Sequence, residues 1–219
     1  MTTEELLKNT LIKLLNKDII LSKMKIAVDI DGVLGNLIDG FIDFMREHHN
    51  IIIKKEDFKT WDFQKALKGY SYDEVLNFIY EFFETKHFKE CSVIDGSLDA
   101  LTELKKENEL LIVSARQKFL TEISKDWICK NFPGIFTSIN ILDNPYGKNS
   151  NIYTKKSDFC EKNCVDVIIE DDLSFVKDFN GKTKVLLFDQ PWNRKGELNE
   201  NVVRVKNWDE VLVKIKRLR

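Results

Sequence analysis

A short apolar strand that runs directly into two carboxylates constrains this chain more than any other feature. Residues 25–34 read Lys-Ile-Ala-Val-Asp-Ile-Asp-Gly-Val-Leu, so Asp29 and Asp31 stand one residue apart before a glycine turn. Alternate residues of a strand share a face, and both carboxylates therefore aim at one point. Two acids this close repel each other unless a cation separates them or one holds a proton. The pattern predicts a cation site or acid–base chemistry, with an ordinary acidic turn as the alternative.

Three further motifs follow this acid pair along the chain. Residues 110–114 form a second apolar strand that ends in a serine, and residues 155–157 (Lys-Lys-Ser) open a helical stretch. A third strand, within residues 166–172, runs into three consecutive acids. Acid and hydroxyl motifs thus stand at the carboxyl ends of strands, where open α/β sheets bind ligands. The ordered set resembles the four motifs of the haloacid dehalogenase (HAD) superfamily of phosphohydrolases.

The resemblance extends over residues 24–215 and is closer to one branch of that superfamily. The segments that carry it look like the cytosolic 5'(3')-deoxyribonucleotidases and their bacterial relatives, and they are residues 56–63, 93–101, 188–194 and 204–208. Two departures limit what the resemblance implies. Leu37 stands where mammalian members have a base-stacking phenylalanine, and Ser114-Ala115 replaces their Thr-Ser pair. The deoxyribonucleotide preference therefore does not transfer, whereas the catalytic pattern does.

Strands that alternate with helices predict an α/β fold with a Rossmann-like, doubly wound parallel sheet, the HAD fold. The predicted strands are residues 24–30, 110–114, 138–142, 166–170, 184–188 and 202–205. We expect a core formed by residues 24–35 and 91–219, with a small helical cap at 36–90 inserted after the first strand. Half of the aromatic residues lie in that cap. Most should form its core, and one or two could stack on a flat ligand such as a nucleobase.

The resemblance implies distinct roles for the acids. Asp29 would be the nucleophile that forms an aspartyl phosphate, and Asp31 the general acid and then base. Mg²⁺ would bind Asp29, the backbone carbonyl of Asp31, and Asp171. Strand alternation puts Glu170 and Asp172 on one side and Asp171 on the other. We therefore take Asp171 as the direct ligand and the other two as outer contacts, with a register shifted by one residue as the alternative.

Hydroxyl and basic residues would hold the phosphate. Ser114 and the backbone N–H of Ala115 would donate hydrogen bonds, and Lys156 would supply charge. Ser114 could instead cap a helix, and Lys156 could be a solvated helix lysine with Lys155 as its competitor. Arg116 is a further candidate beside the site, which could reach a phosphate or a cap acid, or pair on the surface.

Composition excludes several classes of partner. The net charge of −2, from 34 basic and 36 acidic residues without a basic block, does not support binding to a nucleic-acid duplex. No run approaches the ~20 apolar residues that span a bilayer. The four cysteines include no CxxC pair, which favours buried thiols over a zinc or redox site and predicts a reducing, cytoplasmic setting.

The first 23 residues lie outside the resemblance and predict a helical extension. A Thr-Thr-Glu-Glu start is typical of a capping box, and a leucine stripe follows at Leu7, Leu11, Leu14 and Leu15. That stripe must be covered, either by the body of the protein or by a second copy in a homodimer.

These features predict a Mg²⁺-dependent phosphomonoester hydrolase, a 5'-nucleotidase that acts on (deoxy)nucleoside monophosphates. Three alternatives stay open. The first is a phosphatase of sugar phosphates or other small metabolites, since the shared motifs would contact only the phosphate group of a substrate. The others are a catalytically silent HAD-fold binding protein and a receiver-like signalling domain, which the intact motifs and the predicted cap disfavour.

Overall fold

The computed structural model describes residues 23–144 and 154–218. Six parallel strands form one sheet in the order β3-β2-β1-β4-β5-β6. The strands are β1 (Lys25–Val28), β2 (Glu109–Ser114), β3 (Ser138–Ile141), β4 (Val167–Glu170), β5 (Lys184–Phe188) and β6 (Val202–Val205). The chain builds two strands outward from β1 and then returns to add three on the other side. This order is that of a doubly wound Rossmann-like sheet, so the predicted fold class is confirmed.

The central strands form because they are continuous apolar runs, which suit a parallel sheet covered on both faces. Ile26 and Val28 of β1 pack in one core cluster with helix residues such as Leu101 and Trp208, whereas Ala27 packs in a second cluster. Helices therefore cover both faces of the sheet. The helices are α1 (Leu37–His49), α2 (Phe63–Ala66), α3 (Tyr72–Glu84), α4 (Lys86–Lys89), α5 (Ser97–Lys105), α6 (Thr121–Asn131), α7 (Lys156–Lys162), α8 (Leu173–Val176) and α9 (Trp208–Arg217).

The segment between β1 and α5 is helical and has an apolar cluster of its own. Phe41 is fully buried there, and its ring meets Phe63 and Phe82 edge-on at centroid distances of 4.8 and 5.3 Å. Helix α3 begins at a capping box, in which the Glu74 carboxylate accepts from the Ser71 N–H at 2.7 Å. The division into extension, core and cap stays a prediction. Residues 1–22, with the leucine stripe and its docking or dimerisation, lie outside the described residues.

All four cysteines are free thiols. Burial raises the pKa of the Cys91 and Cys160 thiols to about 12, so both are inert apolar side chains. Cys164 is exposed just beyond the end of α7. None of the described helices combines the length and the apolar character that crossing a bilayer requires.

Candidate active site

The site lies where β1 and β4 meet, at the point where the strand order reverses. Asp29 follows β1, is buried, and its backbone N–H donates to the carbonyl of Ile169 at 3.0 Å. Gly32 has a positive φ of 71°, and a Cβ there would lie only 1.9 Å from Oδ2 of Asp171. The glycine is therefore required both by its backbone conformation and by the closeness of that carboxylate. The turn after β1 thus brings two acid motifs together.

Lys156 connects the first and last acid motifs. It is 1% exposed, its Nζ donates to Oε2 of Glu170 at 2.6 Å, and it lies 2.9 Å from Oδ1 of Asp29. Burial lowers the pKa of this lysine, but Asp29 and Glu170 outweigh that effect and leave the pKa raised, so it is charged. Lys155 instead lies 3.2 Å from Asp178 with 43% of its side chain exposed. Of the two candidate lysines, the structure brings Lys156 to the acid cluster.

The carboxylate of Glu170 is buried and fully engaged. Oε1 accepts from the backbone N–H groups of Asp171 and Asp172 at 3.1 and 3.0 Å, while Oε2 accepts from Lys156. Oxygens of Asp29, Glu170 and Asp171 lie within 4.8 Å of one another. Strand alternation predicted that Glu170 and Asp172 would share a side. Glu170 and Asp171 are instead the pair that approaches Asp29, because β4 ends at Glu170 and alternation stops there.

Two carboxylate oxygens in this cluster lack a donor. Oδ2 of Asp171 accepts from the indole N–H of Trp192 at 2.8 Å, but its Oδ1 is buried without a hydrogen bond in the described part of the chain. Oδ1 of Asp29 likewise makes no aligned hydrogen bond, although it touches Lys156. Buried acceptors without donors are costly, and a bound cation would relieve that cost. A cluster of oxygen ligands suits Mg²⁺, so the residues present fit this ion.

The electrostatics of the same carboxylates agree with a cation site. Burial raises the pKa of Asp29 to about 8, with Glu170 and Asp31 adding to the increase and Lys156 opposing it. Burial also raises the pKa of Asp171 well above its ordinary value, and the neighbouring carboxylates of Glu170 and Asp29 raise it further. Burial thus disfavours the charged form of both carboxylates, and a bound cation would stabilise that charged form.

Asp172, the third acid of the motif, has a local structural partner. Its Oδ1 accepts from the backbone N–H of Ser174 and its Oδ2 from the Ser174 hydroxyl, both at 2.8 Å. These bonds make Asp172 the N-cap of α8. Burial raises the pKa of Asp172 to about 6. It lines the active-site cavity but is not among the three acids that cluster around Asp29.

The end of β2 supplies Ser114 and Ala115. Ser114 is buried, and its hydroxyl accepts from the backbone N–H of Arg116 at 3.2 Å. Both residues line the cavity together with Asp29 and Lys156. The next helical turn begins only at Lys118, so Ser114 is not a helix N-cap. The structure thus brings together the residues that were predicted to bind phosphate.

Arg116 has a partner that the sequence did not indicate. Its guanidinium makes two hydrogen bonds to the Asp31 carboxylate, from Nε to Oδ2 at 2.9 Å and from Nη2 to Oδ1 at 2.7 Å. A phosphate, a cap acid and a surface pair were the three predicted alternatives. In this structure Arg116 instead forms a partly buried pair with Asp31, the second acid of the first motif. Their separation of 85 residues explains why local patterning could not reveal the contact.

The cavity above these residues has a volume of about 200 Å³ and one aromatic wall. Leu37, Trp61 and Phe63 line it, all from the helical segment after β1. Trp61 lies nearly parallel to Phe63 and stacks on Trp192, with ring centroids 5.1 Å apart at 23°. Aromatic enrichment predicted such a wall without naming its members. The cavity joins the acids to a surface that suits a flat apolar group.

The fold and this acid–lysine cluster define a haloacid dehalogenase-like hydrolase. A haloacid dehalogenase-like family hydrolase from Streptococcus pneumoniae superposes with a TM-score of 0.62 at 16% identity, covering 90% of this chain and 100% of that one. The HAD-hydrolase YfnB from Bacillus subtilis, whose structure contains magnesium, has a TM-score of 0.59 at 13% identity, with 88% and 98% covered. Both superpositions show the predicted fold.

The particular family follows from the sequence. The chain belongs to the family described as 5' nucleotidase, deoxy (pyrimidine), cytosolic type C protein, whose model matches residues 23–219. It is 28% identical over 192 residues to a 5'(3')-deoxyribonucleotidase of Bacillus subtilis (strain 168), with 86% of this chain and 96% of that protein covered. The protein is thus a phosphoric monoester hydrolase of the nucleotidase type.

Proposed function

We propose that this protein is a Mg²⁺-dependent 5'-nucleotidase that hydrolyses (deoxy)nucleoside monophosphates through an aspartyl phosphate on Asp29. The observation that carries this proposal is the cluster of Asp29, Glu170, Asp171 and Lys156 beneath a cavity with an aromatic wall. The family and the deoxyribonucleotidase relative support the substrate class.

The cation would be held by Asp29 and Asp171, whose buried Oδ1 atoms lack aligned donors among the described residues. The Asp31 carbonyl would be a further ligand, and Glu170 is a third carboxylate within reach. When bound, Mg²⁺ neutralises charge on the phosphoryl group and keeps Asp29 ionised despite its burial. The magnesium in the structurally similar YfnB hydrolase agrees with this choice of ion.

Asp29 and Asp31 divide the chemistry between them. An Asp29 oxygen attacks phosphorus, the bond from phosphorus to the ester oxygen breaks, and Asp31 gives its proton to that oxygen as the alcohol leaves. Asp31, now a carboxylate, then takes a proton from water as the water oxygen attacks the phosphorus. The bond to Asp29 breaks, inorganic phosphate leaves, and both acids return to their starting state.

The phosphoryl oxygens would be held by Lys156, the Ser114 hydroxyl and the Ala115 N–H. A lysine ammonium has three N–H donors; one makes the hydrogen bond to Glu170, and one faces Oδ1 of Asp29 at 2.9 Å without the alignment of a hydrogen bond. The remaining donor is available to an anion that enters the cavity. Lys156 thereby offsets the repulsion that Asp29 and Glu170 would exert on a phosphate.

The leaving nucleoside would lie against Trp61 and Phe63. Residues 36–90 would act as a cap over the carboxyl ends of the strands, excluding water and selecting the leaving group. A nucleobase offers a flat face to such a wall, whereas a sugar phosphate does not. Leu37 lines the same cavity and contributes apolar surface without an aromatic ring.

A phosphate-release screen tests the proposal. Purified wild-type protein is assayed with nucleoside monophosphates and sugar phosphates, in Mg²⁺ and in EDTA. We expect Mg²⁺-dependent release that favours nucleotides, and none from Asp29→Asn, which is nearly isosteric but cannot act as the nucleophile. Activity that survives in Asp29→Asn would contradict the mechanism. A preference for sugar phosphates would support a phosphatase but exclude the proposed nucleotidase activity. Inactivity on every ester would favour a catalytically silent binding protein.

We also propose that the protein works in the cytoplasm. The free cysteines support this setting, because two of them are buried as unpaired thiols in the packed core. Partitioning of the native protein between cytoplasmic and exported fractions tests it, and recovery in the exported fraction would overturn it.

A further inference from the structure

Arg116 fixes both the position and the tilt of the Asp31 carboxylate. The two hydrogen bonds, of 2.9 and 2.7 Å, run from different guanidinium nitrogens to different carboxylate oxygens. The arginine side chain is 7% exposed and that of Asp31 16%, so water screens the pair weakly. A planar fork of two parallel hydrogen bonds is directional in a way that a lysine cannot reproduce. The orientation of Asp31 therefore depends on Arg116.

The other side of the guanidinium is held by elements outside the acid motifs. Nη1 of Arg116 donates to the Ser124 hydroxyl at 2.9 Å, and that hydroxyl donates to the carbonyl of Leu120 at 2.7 Å. The ring of Phe88, in α4, lies 4.9 Å from Cζ of the arginine. Helices α4 and α6 thus hold the guanidinium from two directions.

We propose that Arg116 is a positioning residue for the acid that protonates the leaving group. The proposal rests on the proposed function, in which Asp31 gives its proton to the ester oxygen. A carboxyl group has about four lone-pair sites, and Arg116 uses one on each oxygen. One site on each oxygen remains for the proton that moves. A displacement of about 1 Å in a reacting group lowers a rate by about a hundredfold, so a loosely held Asp31 would be a poor acid.

Leaving-group dependence distinguishes this role from phosphate binding. Arg116 also lines the cavity, so a direct contact with the substrate phosphate is the rival interpretation. A phosphate-binding arginine acts on every ester and changes KM. An arginine that acts through Asp31 affects only esters whose leaving oxygen needs a proton, and p-nitrophenolate leaves without one.

The test is the rate of phosphoenzyme formation in the Arg116→Lys protein, measured by rapid quench with Mg²⁺. This variant keeps the charge, so Asp31 is not left buried without a cation, but it loses the fork. We expect formation from a nucleoside monophosphate to slow by about tenfold or more and formation from p-nitrophenyl phosphate by less than about threefold, with KM unchanged. In an Asp31→Asn background the same substitution should cause no further loss.

Two matched variants complete the design. Ser124→Ala leaves both bonds to Asp31 but removes the anchor behind them, and we expect a smaller loss in the same direction. Arg46→Met removes an exposed arginine that pairs with Asp43, and neither rate should change. An equal loss on both esters, a raised KM, or an additional loss in the Asp31→Asn background would overturn the positioning role alone. A wild-type protein that releases phosphate from neither ester would overturn the proposed function together with it.

Discussion

The indole of Trp192 donates its N–H to Oδ2 of Asp171 at 2.8 Å, in the interior of the protein. The side chain of Asn193 donates to the backbone carbonyl of the same aspartate at 2.7 Å. The ring of Trp192 also stacks on Trp61, which lines the cavity. One short loop therefore supports a proposed metal ligand through both its side chain and its backbone, and contacts the wall of the leaving-group site.

Replacing Trp192 should weaken Mg²⁺ binding. Trp192→Phe keeps an aromatic ring but removes the donor that orients Asp171, and such outer contacts contribute about 10–100-fold in metal affinity. Isothermal titration of the native protein with MgCl₂ measures the effect. Trp127→Phe is the matched control, since its indole N–H donates to the carbonyl of Cys91 rather than to an acid. Equal affinities in Trp192→Phe and wild type would contradict the assigned role.

Removing Lys156 should reduce stability and activity far more than removing its neighbour Lys155. Lys156→Met leaves the buried Glu170 carboxylate without its cation, and breaking a buried pair in this way costs about 3–5 kcal/mol of unfolding free energy. Lys155→Met removes a half-exposed pair with Asp178 that contributes no more than about 1 kcal/mol. Urea denaturation in EDTA gives both values, and phosphate release should be lost only in Lys156→Met. Similar losses from the two variants would refute the distinction.

Mg²⁺ should stabilise the protein more at high pH than at low pH. The folded metal-free protein holds a proton on Asp29 up to about pH 8, whereas the unfolded chain releases it near the ordinary pKa of 3.8. Between these values the contribution of this group to the unfolding free energy falls as pH rises, because the native state binds more protons. A cation takes the place of the proton.

The difference in thermal midpoint between Mg²⁺ and EDTA isolates this effect from other titrating groups. We expect the difference to be larger at about pH 8 than at about pH 5, and to shrink in Asp29→Asn. A difference that is constant across this pH range would show that the cation does not replace the Asp29 proton.

The cavity wall should set the choice of leaving group. Base stacking contributes about 1–3 kcal/mol, so nucleoside monophosphates should exceed sugar phosphates in kcat/KM by about tenfold or more. Trp61→Ala should abolish that preference and leave the hydrolysis of p-nitrophenyl phosphate unchanged. Tyr72→Ala, which alters an exposed aromatic at the start of α3, is the control and should leave the preference intact. Selectivity that persists in Trp61→Ala would exclude this ring as the stacking surface.

The fold was predictable because its central strands are apolar runs that end in polar motifs. The runs before Asp29, Ser114 and Glu170 each became a strand of the sheet, in the expected order along the chain. The preference for Lys156 over Lys155 came from the family resemblance, since a lysine directly before Ser157 matches the third motif. Each of these inferences uses residues that are close in sequence, where periodicity and motif order carry the information.

Contacts between distant segments were beyond such reasoning. Trp192 lies in the segment 188–194 that carries the resemblance, and nothing local to it shows that its indole N–H donates to Asp171. The two hydrogen bonds from Arg116 to Asp31 could not be predicted either, because the residues are 85 positions apart. Asp171 was expected beside Asp29 and does lie in that cluster, but the sequence pattern could not show that β4 ends at Glu170.

The pairing of β1 with β4 has a consequence for synthesis of the protein. Val28 pairs with Ile169, although most of the chain separates the two strands. A polypeptide growing on the ribosome therefore carries Asp29, the proposed nucleophile, long before Lys156 and Glu170 have been synthesised. Parallel pairing between such distant strands is a late event in folding. Incomplete chains consequently expose the acidic turn after β1 without the residues that hydrolysis requires. Hydrolysis can begin only after β4 has paired with β1.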